Sequence, residues 1–331
     1  MNLKKIGLTA LAGSLVATSV VTTAVVAGEM AVTGSASVKV RSVQKGSSGK
    51  SFSMGNQLEF AGSGEMDNGL DVKLSFVLDQ NDDSTSGGVT KNSNVGTPFD
   101  SHSVSIGSDA LGTIVFHGEG GSSAQGKMDT TAAGDLWDNG YGISTSNDPA
   151  ASLATNNMIF YTLPEISDGL ALTTSFVPRG ALAADPSLAF GIAYTGVEGL
   201  TVNFAQGENN ASALNTADAT TMHVKYALGS FTVGYSDTEY DAATAASDKD
   251  VTSMNVSYTV TEDISVSYGE DEIARPGVGG DQDIKVQAIS GSFTTGGMTI
   301  GAMVGDSENT AHGSGEAEDK GMFHLTAAFA F

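Results

Sequence analysis

The C-terminal segment, residues 323–331, alternates strictly between two kinds of side chain. Counting back from the terminus, every second residue is apolar: Phe331, Phe329, Ala327, Leu325 and Phe323. The residues between them are small or polar. A period of two indicates a β-strand whose two faces meet different surroundings. The sequence therefore predicts an amphipathic strand that ends on an aromatic residue.

The N-terminus has the features of a secretory signal peptide. Lys4 and Lys5 form a short basic start, and residues 6–26 are apolar or small and uncharged. Small residues end this run at positions that suit a signal peptidase, so we assign residues 1–28 to a signal peptide. The mature domain is then 29–331. An N-terminal membrane helix is the alternative, but the Thr and Ser residues that dilute the run favour the signal peptide.

Composition excludes several classes of protein. The chain has 331 residues and no Cys, which excludes a disulfide framework, thiol catalysis and cysteine-ligated metals. The formal net charge is −23, and removing Lys4 and Lys5 with the signal peptide lowers it by two, to −25. So acidic a protein is a poor partner for nucleic acid and attracts cations instead.

Short segments repeat along the chain. Residues 67–76, 167–176 and 197–204 each place an acidic or Gly-containing turn directly before an alternating strand. A second version of the pattern occurs at 110–116, 227–233 and 295–300. Glycine suits these positions because tight hairpin turns require a positive φ. The irregular spacing indicates repeated hairpins rather than a solenoid.

Period-two alternation predicts sixteen strands in the mature chain, with a margin of two because 156–163 and 283–293 are ambiguous. The predicted strands are 30–42, 52–66, 70–79, 101–108, 111–118, 156–163, 170–177, 187–195, 199–206, 219–228, 230–239, 251–260, 263–271, 283–293, 298–305 and 320–331.

The predicted connections alternate between short and long. The seven short ones are near 67–69, 109–110, 164–169, 196–198, 229, 261–262 and 294–297. The eight long ones are near 43–51, 80–100, 119–155, 178–186, 207–218, 240–250, 272–282 and 306–319. An even strand number with alternating loop lengths is typical of transmembrane β-barrels. A soluble sandwich, which buries its apolar faces between two sheets, gives no reason for that alternation.

These features together resemble the general porins of Gram-negative bacteria, most closely the short porins of alphaproteobacteria. The resemblance implies an all-β fold: a transmembrane antiparallel β-barrel of about 16 strands in the cell outer membrane. Short periplasmic turns, long outer loops and an inward-folded constriction loop follow from it. It also implies a homotrimer in contact with lipid and lipopolysaccharide. Phe331 and Phe329 would form the assembly signal that the barrel insertion machinery reads.

The longest connection, 119–155, is the third outer loop in this arrangement, and the resemblance makes it the pore constriction. Its acidic residues are Glu119, Asp129, Asp135, Asp138 and Asp148, with Lys127 as its single base. Trp137 and Tyr141 are the candidate anchors that wedge the loop against the wall. A loop this long is usually functional or disordered, so an acidic surface loop is the alternative.

Basic residues of the pore wall are predicted at Lys39, Arg41 and Lys73. Each has the parity opposite to its apolar neighbours, and a charge facing lipid at mid-membrane would cost about 2–4 kcal/mol. They should therefore point into the lumen, either facing the loop acids or as ordinary lumen residues. The chain has only three Arg residues, which shifts the expected selectivity towards cations.

No cofactor is predicted with the exception of calcium. Asp79, Asp82 and Asp83, and also residues 135–139, group oxygen atoms of the kind that Ca²⁺ prefers. Neither group has EF-hand spacing, and solvated acidic loops are commoner.

The sequence contains no enzyme signature of the hydrolase, metalloprotease, Walker or dinucleotide-binding type. We therefore predict a water-filled channel for passive diffusion of ions and small hydrophilic solutes, and no enzyme. A barrel that acts mainly as an adhesin or structural anchor, or a substrate-specific channel, is the alternative. We further expect residues 30–42 to pair with 320–331, and five aromatic residues to face outward: Phe190, Tyr226, Tyr235, Tyr258 and Phe329.

Overall fold

The chain forms one antiparallel sheet of sixteen strands. The computed structural model describes residues 29–44, 49–80, 99–128, 131–139, 151–178, 185–212, 215–313 and 319–331; the predicted signal peptide lies outside them. The strands are β1 Glu29–Gln44, β2 Gly49–Glu65, β3 Asp71–Gln80, β4 Phe99–Ser108, β5 Gly112–Glu119, β6 Met158–Thr162, β7 Leu170–Val177, β8 Ser187–Tyr194, β9 Leu200–Ser212, β10 Asn215–Leu228, β11 Phe231–Ala242, β12 Lys249–Thr259, β13 Ile264–Ala274, β14 Ile284–Thr295, β15 Met298–Glu308 and β16 Lys320–Ala330. Within the described ranges, no helix is long and apolar enough to cross a membrane.

The sheet closes on itself by pairing its first and last strands. Val38 lies opposite Ala327 and Arg41 opposite His324 in the β1–β16 ladder. Phe331 extends the seam, because its N–H donates to the Gly34 carbonyl at 3.0 Å and its own carbonyl accepts the Gly34 N–H at 2.8 Å. The predicted closure and the predicted strand number are both confirmed.

The two faces of the barrel have opposite character. The outward face carries exposed aromatic and aliphatic side chains, and the predicted outward residues Phe190, Tyr226, Tyr235, Tyr258 and Phe329 are among them. The inward face carries small and polar side chains; Ser253, Asn255 and Ser257, for example, are buried between exposed Met254 and Val256. A soluble monomer rarely exposes so large a continuous apolar surface, whereas lipid requires one.

Two loops predicted to be long are shorter than expected. β9 and β10 pair as far as Ser212 and Asn215, and β1 and β2 pair as far as Val43 and Gly49, so the loop predictions at 207–218 and 43–51 were wrong. The strand ends there are polar, because they project beyond the apolar zone. Apolar alternation therefore stops marking a strand before its backbone pairing ends.

The outward face changes from apolar to charged near the loop end of the barrel. Tyr268 donates to Glu270 at 3.0 Å, and Gln287 donates to Asp306 at 2.8 Å. An outward-facing charge is costly at the membrane midplane and nearly neutral at the interface. These side chains therefore mark the border between the hydrocarbon zone and the polar region of the membrane.

The two strands that were ambiguous in sequence are apolar on their inner faces. Met158 and Phe160 of β6 are buried inside the barrel, as are Ile284 and Val286 of β14. Their outer faces are partly apolar as well, with Ile289 exposed on β14. Period two is weak in such a strand, since both faces pack against apolar surroundings.

Gly296 and Gly297 form the link between β14 and β15, and both have a positive φ, of 52° and 83°. This is the backbone of the tight hairpin turn that the repeats predicted. Links of this short class occur at the barrel end where β1 begins and β16 ends, and the longer connections join the strands at the opposite end.

We expect deletion of Phe331 to lower the yield of barrel in the outer membrane while export to the periplasm continues. The deletion removes two backbone hydrogen bonds of the closing seam and the aromatic ring that lies over Gly34. The measurement is the amount of heat-modifiable barrel in purified outer membranes. Phe331→Tyr, which keeps the ring, should assemble as the unmodified chain does. Normal assembly of the deletion variant would contradict the prediction.

Candidate pore and its inner loop

The described parts of the connection between β5 and β6 lie inside the barrel. Its described residues include Ala124, Ala133 and Leu136, which are at most 1% exposed. Their N–H groups donate to inward-facing side chains of β7, β12 and β13, respectively. We call the described parts of this connection, 120–128, 131–139 and 151–157, the inner loop.

The two arms of the inner loop are joined to each other and to the wall. Gln125 donates from its side chain to Thr221 of β10 at 2.9 Å, and its side-chain oxygen accepts the Ser152 N–H at 2.7 Å. The Ser123 and Ser152 hydroxyls lie 2.6 Å apart. The Ala124 N–H donates to the Ser175 hydroxyl of β7 at 2.9 Å. Wall hydroxyls thus satisfy polar groups of a loop that has no regular ladder of its own.

The distal turn of the inner loop, residues 131–139, meets three consecutive strands of the wall. The Ala132 N–H donates to the Ser236 hydroxyl of β11 at 2.8 Å. The next N–H, that of Ala133, donates to the Ser253 hydroxyl of β12 at 2.8 Å. The Leu136 N–H donates to Asp271 Oδ2 of β13 at 2.7 Å. The turn therefore lies flat against the inner surface.

An apolar cluster inside the barrel packs beneath the distal turn. Ala133 and Leu136 are buried in it, and Trp137 packs against it. The wall contributes the remaining members: Val251, Ile273, Ile284, Val286, Ala288, Met303 and Met322, with Val43 at the edge. Burial of this cluster excludes water from this side of the lumen.

Gly269 on β13 permits the close approach of the distal turn. A Cβ at this position would lie 2.7 Å from the Ala133 Cβ, a distance that side chains do not reach without displacement. A glycine in a strand interior often marks such a backbone approach.

The predicted acids of the loop differ in their placement. Glu119 ends β5 beyond a register shift in the β4–β5 pairing and lies opposite His102. One carboxylate oxygen of Asp135 accepts the Thr131 N–H at 2.9 Å, while the Asp135 N–H donates to the Thr131 hydroxyl. Asp138 belongs to the short 3₁₀ turn Leu136–Asn139. Asp129, Asp148 and Tyr141 lie outside the described residues.

The predicted bases lie on the wall that the inner loop leaves uncovered. Lys39 and Arg41 alternate with the outward-facing Val40, and Lys73 alternates with the outward-facing Leu74. Small hydroxyl side chains on the same inner face surround these bases: Ser35, Ser37, Ser51, Ser53, Ser63, Ser75, Ser103 and Ser105. This wall of the barrel is therefore hydrophilic, whereas the inner loop covers the opposite wall.

A cavity of about 800 Å³ opens at the turn end of the uncovered wall. Its charged lining residues are Asp71, Lys73, Asp109 and Glu165, and hydroxyls of Ser63, Ser105 and Thr113 lie between them. The lumen is thus open and polar on the β2–β6 side.

Lys127, the base of the inner loop, has its Nζ 3.6 Å from the centre of the Phe160 ring. This is the geometry of a cation–π interaction. Burial lowers the pKa of Lys127 below its usual value.

A family model described as Gram-negative porin matches residues 7–310 of the chain. The chain belongs to the Gram-negative porin family. No curated protein matches it significantly in sequence. A mutant of Rhodopseudomonas blastica porin has the same fold with 16% identity and a TM-score of 0.67, over 92% of this chain and 100% of that one. A loop-deletion mutant of OmpT from Vibrio cholerae gives 13% identity and a TM-score of 0.67 over the same shares.

Membership of this family makes the protein an outer-membrane channel of a Gram-negative bacterium. The predicted family, fold class and location are thereby confirmed. Porins are channels rather than enzymes, which agrees with a sequence that lacks enzyme signatures.

Five wall residues of the porin hold the inner loop and were not predicted from the sequence: Ser175, Thr221, Ser236, Ser253 and Asp271. The alternation along each strand predicts that these side chains face inward. It does not identify the loop group that each side chain binds. A usable signal was present in the apolar inner face of Ile273, Ile284 and Val286, because an apolar patch inside an aqueous pore implies that something covers it.

No group of three or more His, Asp or Glu residues is arranged to hold a metal within the described part of the porin. Asp82 and Asp83 of the calcium prediction lie outside that part, while Asp79 lies in β3. Calcium binding stays a prediction.

At the outer mouth of the porin, His312 joins two neighbouring loops. Its Nδ1 donates to the Gln282 carbonyl at 2.9 Å, and its own carbonyl accepts the Gln282 N–H at 3.0 Å. Burial lowers the pKa of His312, while the bond to Gln282 opposes the shift. The ion pair of Arg275 and Asp281 is adjacent; Arg275 lowers this pKa further, and Asp281 and Asp283 raise it.

We expect acid to loosen this pair of loops. The folded loops favour neutral His312, so the opened loops bind a proton more readily, and stability is lost as pH falls below the ordinary value of about 6.5. The amide protection factors of Gln282 and His312 should fall between about pH 6.5 and pH 5. His312→Asn suits the backbone, whose φ is 58°, and should remove the pH dependence. The same dependence in that variant would rule out His312 as its source.

Proposed function

We propose that the protein forms a water-filled channel for the passive diffusion of ions and small hydrophilic solutes, with a moderate preference for cations. The observation that carries the proposal is the asymmetric lumen. The inner loop contacts the wall from β7 to β14, and the apolar cluster beneath it reaches Val43 near the loop end of β1. A path remains along the rest of the hydroxyl-rich and charged wall of β1–β4. Water and polar solutes are favoured by such a lining.

The proposed cation preference rests on charge. The formal net charge of the whole chain is −23. The loop has a single base, Lys127, and five acids: Glu119, Asp129, Asp135, Asp138 and Asp148. Low-dielectric walls focus the field of these charges in a narrow passage. Lys39, Arg41 and Lys73 act in the opposite direction, so the expected bias is moderate.

An adhesin or structural anchor is the alternative function. An anchor gains nothing from a loop that is bonded to the inner wall through Gln125, Ala132 and Leu136. A substrate-specific channel would need a site that matches one solute. The wide polar opening at Lys73 favours general diffusion.

The test of selectivity is the reversal potential across a salt gradient, measured on the purified protein in a planar bilayer. The unmodified channel should prefer cations, and Asp135→Asn combined with Asp138→Asn should lower that preference. Asn at 135 keeps an acceptor for the Thr131 N–H, so the loop turn should persist while its charge is lost. The preference should weaken with salt, because the Debye length falls to about 3 Å at 1 M.

Lys127→Met provides the matched control for the sign of the effect. It removes a positive charge from the same loop, so the cation preference should rise. An anion-preferring unmodified channel, or a double variant with an unchanged reversal potential, would remove the loop acids from the mechanism. A protein that inserts without conducting would favour the anchor.

We further propose that the channel is a homotrimer in contact with outer-membrane lipid and lipopolysaccharide, delivered by the barrel insertion machinery. OmpT of Vibrio cholerae has been solved in a trimer form, with 12% identity and a TM-score of 0.66 over 92% of this chain and 100% of that one. Light scattering in mild detergent should give a protein mass of three chains. A mass of one or two chains would contradict the proposed trimer.

A further inference from the structure

Asp271 differs from the other wall residues that hold the inner loop. Ser175, Ser236 and Ser253 are neutral hydroxyls, whereas Asp271 offers a carboxylate. It is completely buried, at 0% exposure. Its partner is the Leu136 N–H at 2.7 Å, which is a short bond of the charge-assisted kind.

The wall residues around Asp271 are neutral. Asp271 lies between Ser253 and Val286 in the sheet, and Ile273 on the same face is part of the apolar cluster. No described lysine or arginine forms an ion pair with it. A buried charge is costly unless polar partners compensate it. The inner loop provides two of these partners, the Leu136 N–H and the Thr131 hydroxyl, and the wall provides the Ser253 hydroxyl.

The bond from the distal turn to Asp271 of β13 is important because of how this turn is held. The arms of the inner loop are joined to each other through Gln125 and Ser152, but the distal turn depends on the wall. Its other wall contacts are two neutral hydrogen bonds and the packing of Ala133 and Leu136. Loss of the charged bond should therefore weaken the turn more than loss of either neutral one.

We infer that Asp271 is a positioning residue that holds the distal turn against the wall and thereby sets the open cross-section of the pore. The inference rests on the proposed channel function. A detached turn would move away from the apolar cluster into the lumen or towards the outer mouth, and the pore would fluctuate in width.

The first experiment compares Asp271→Leu with Asp271→Asn in single-channel recordings. Leu has a similar size and no acceptor, whereas Asn keeps a neutral acceptor for the Leu136 N–H. Losing a hydrogen bond to a charged group corresponds to roughly a 10- to 100-fold rise in the detached population. Asp271→Leu should show that rise as more frequent substates and open-channel noise, and Asp271→Asn should show a smaller one.

Ser267→Ala is the matched control on the same strand and the same face. The Ser267 hydroxyl is buried and lies 2.8 Å from that of Ser290 within the wall, away from the inner loop. Ser267→Ala should therefore leave the single-channel recordings unchanged. If Asp271→Leu does not assemble, Ser253→Ala is the substitute. It removes the acceptor of the Ala133 N–H and a hydroxyl that bonds Asp271, and it should give the same change in the recordings at a smaller size.

A second measurement reports the loop without relying on conduction. The chain has no Cys, so Ala132→Cys supplies a single labelling site on the distal turn. Its reaction with a membrane-impermeant maleimide should be about 10- to 100-fold faster when Asp271 is Leu, if detachment limits access.

A disulfide between Ala132→Cys and Gly234→Cys should reverse the effect. A Cβ on Gly234 would lie 3.3 Å from the Ala132 Cβ, close to the usual spacing of about 3.5–4.5 Å in disulfides. Oxidation should restore quiet recordings to Asp271→Leu, and reduction should abolish the rescue.

The outcomes separate the two proposals. A conducting Asp271→Leu channel with unchanged noise and unchanged labelling would overturn the positioning role and leave the channel function intact. Noise that persists in the oxidised double-cysteine variant would overturn it as well. Absence of conduction in the unmodified protein, together with faster labelling of Asp271→Leu, would overturn the channel function and support the positioning role.

Discussion

Backbone hydrogen bonding is the constraint on which the rest of this structure depends. In lipid an unpaired N–H or C=O has no water to bind, so a sheet that crosses the membrane must have no open edge. The seam between β1 and β16 meets this requirement by joining the two ends of the barrel domain. Gly34 takes part directly, because it exchanges two hydrogen bonds with Phe331 and leaves room for the aromatic ring.

Closure creates an interior, and the inner loop divides it. Leu136 and Ala133 pack with Ile273, Ile284 and Val286 in a small dry cluster inside the lumen. The barrel thus has two apolar surfaces, one towards lipid and one beneath the loop. Because the cluster occupies one wall, the aqueous path that we propose follows the other, where serine hydroxyls accompany Lys39 and Lys73. The asymmetry of the pore is a packing consequence of where the loop is held.

The sequence was informative about the strands because each one faces two different environments. Leu188, Phe190 and Ile192 alternate with small residues, and β8 follows the predicted bounds within one residue. Strand bounds were predicted less well where the two faces of a strand have the same character. The outer part of β9 is polar on both faces, and β14 has apolar residues on both. The role of Asp271 could not be read either, since its partner Leu136 is distant in sequence. The loop acids stay predictions, as does the pore-facing role of Lys39, Arg41 and Lys73.

Pore width in such a fold is decoupled from barrel size. The number of strands fixes the diameter, so a sixteen-stranded barrel cannot become narrower without changing its whole topology. The way in which the inner loop is held inside the barrel can change with single substitutions. Wall positions such as Ser236, Ser253 and Asp271 are therefore where permeability can be adjusted at little risk to assembly, because their side chains bond the loop and not the ladder. The ladder itself is satisfied by backbone atoms whichever side chain is present.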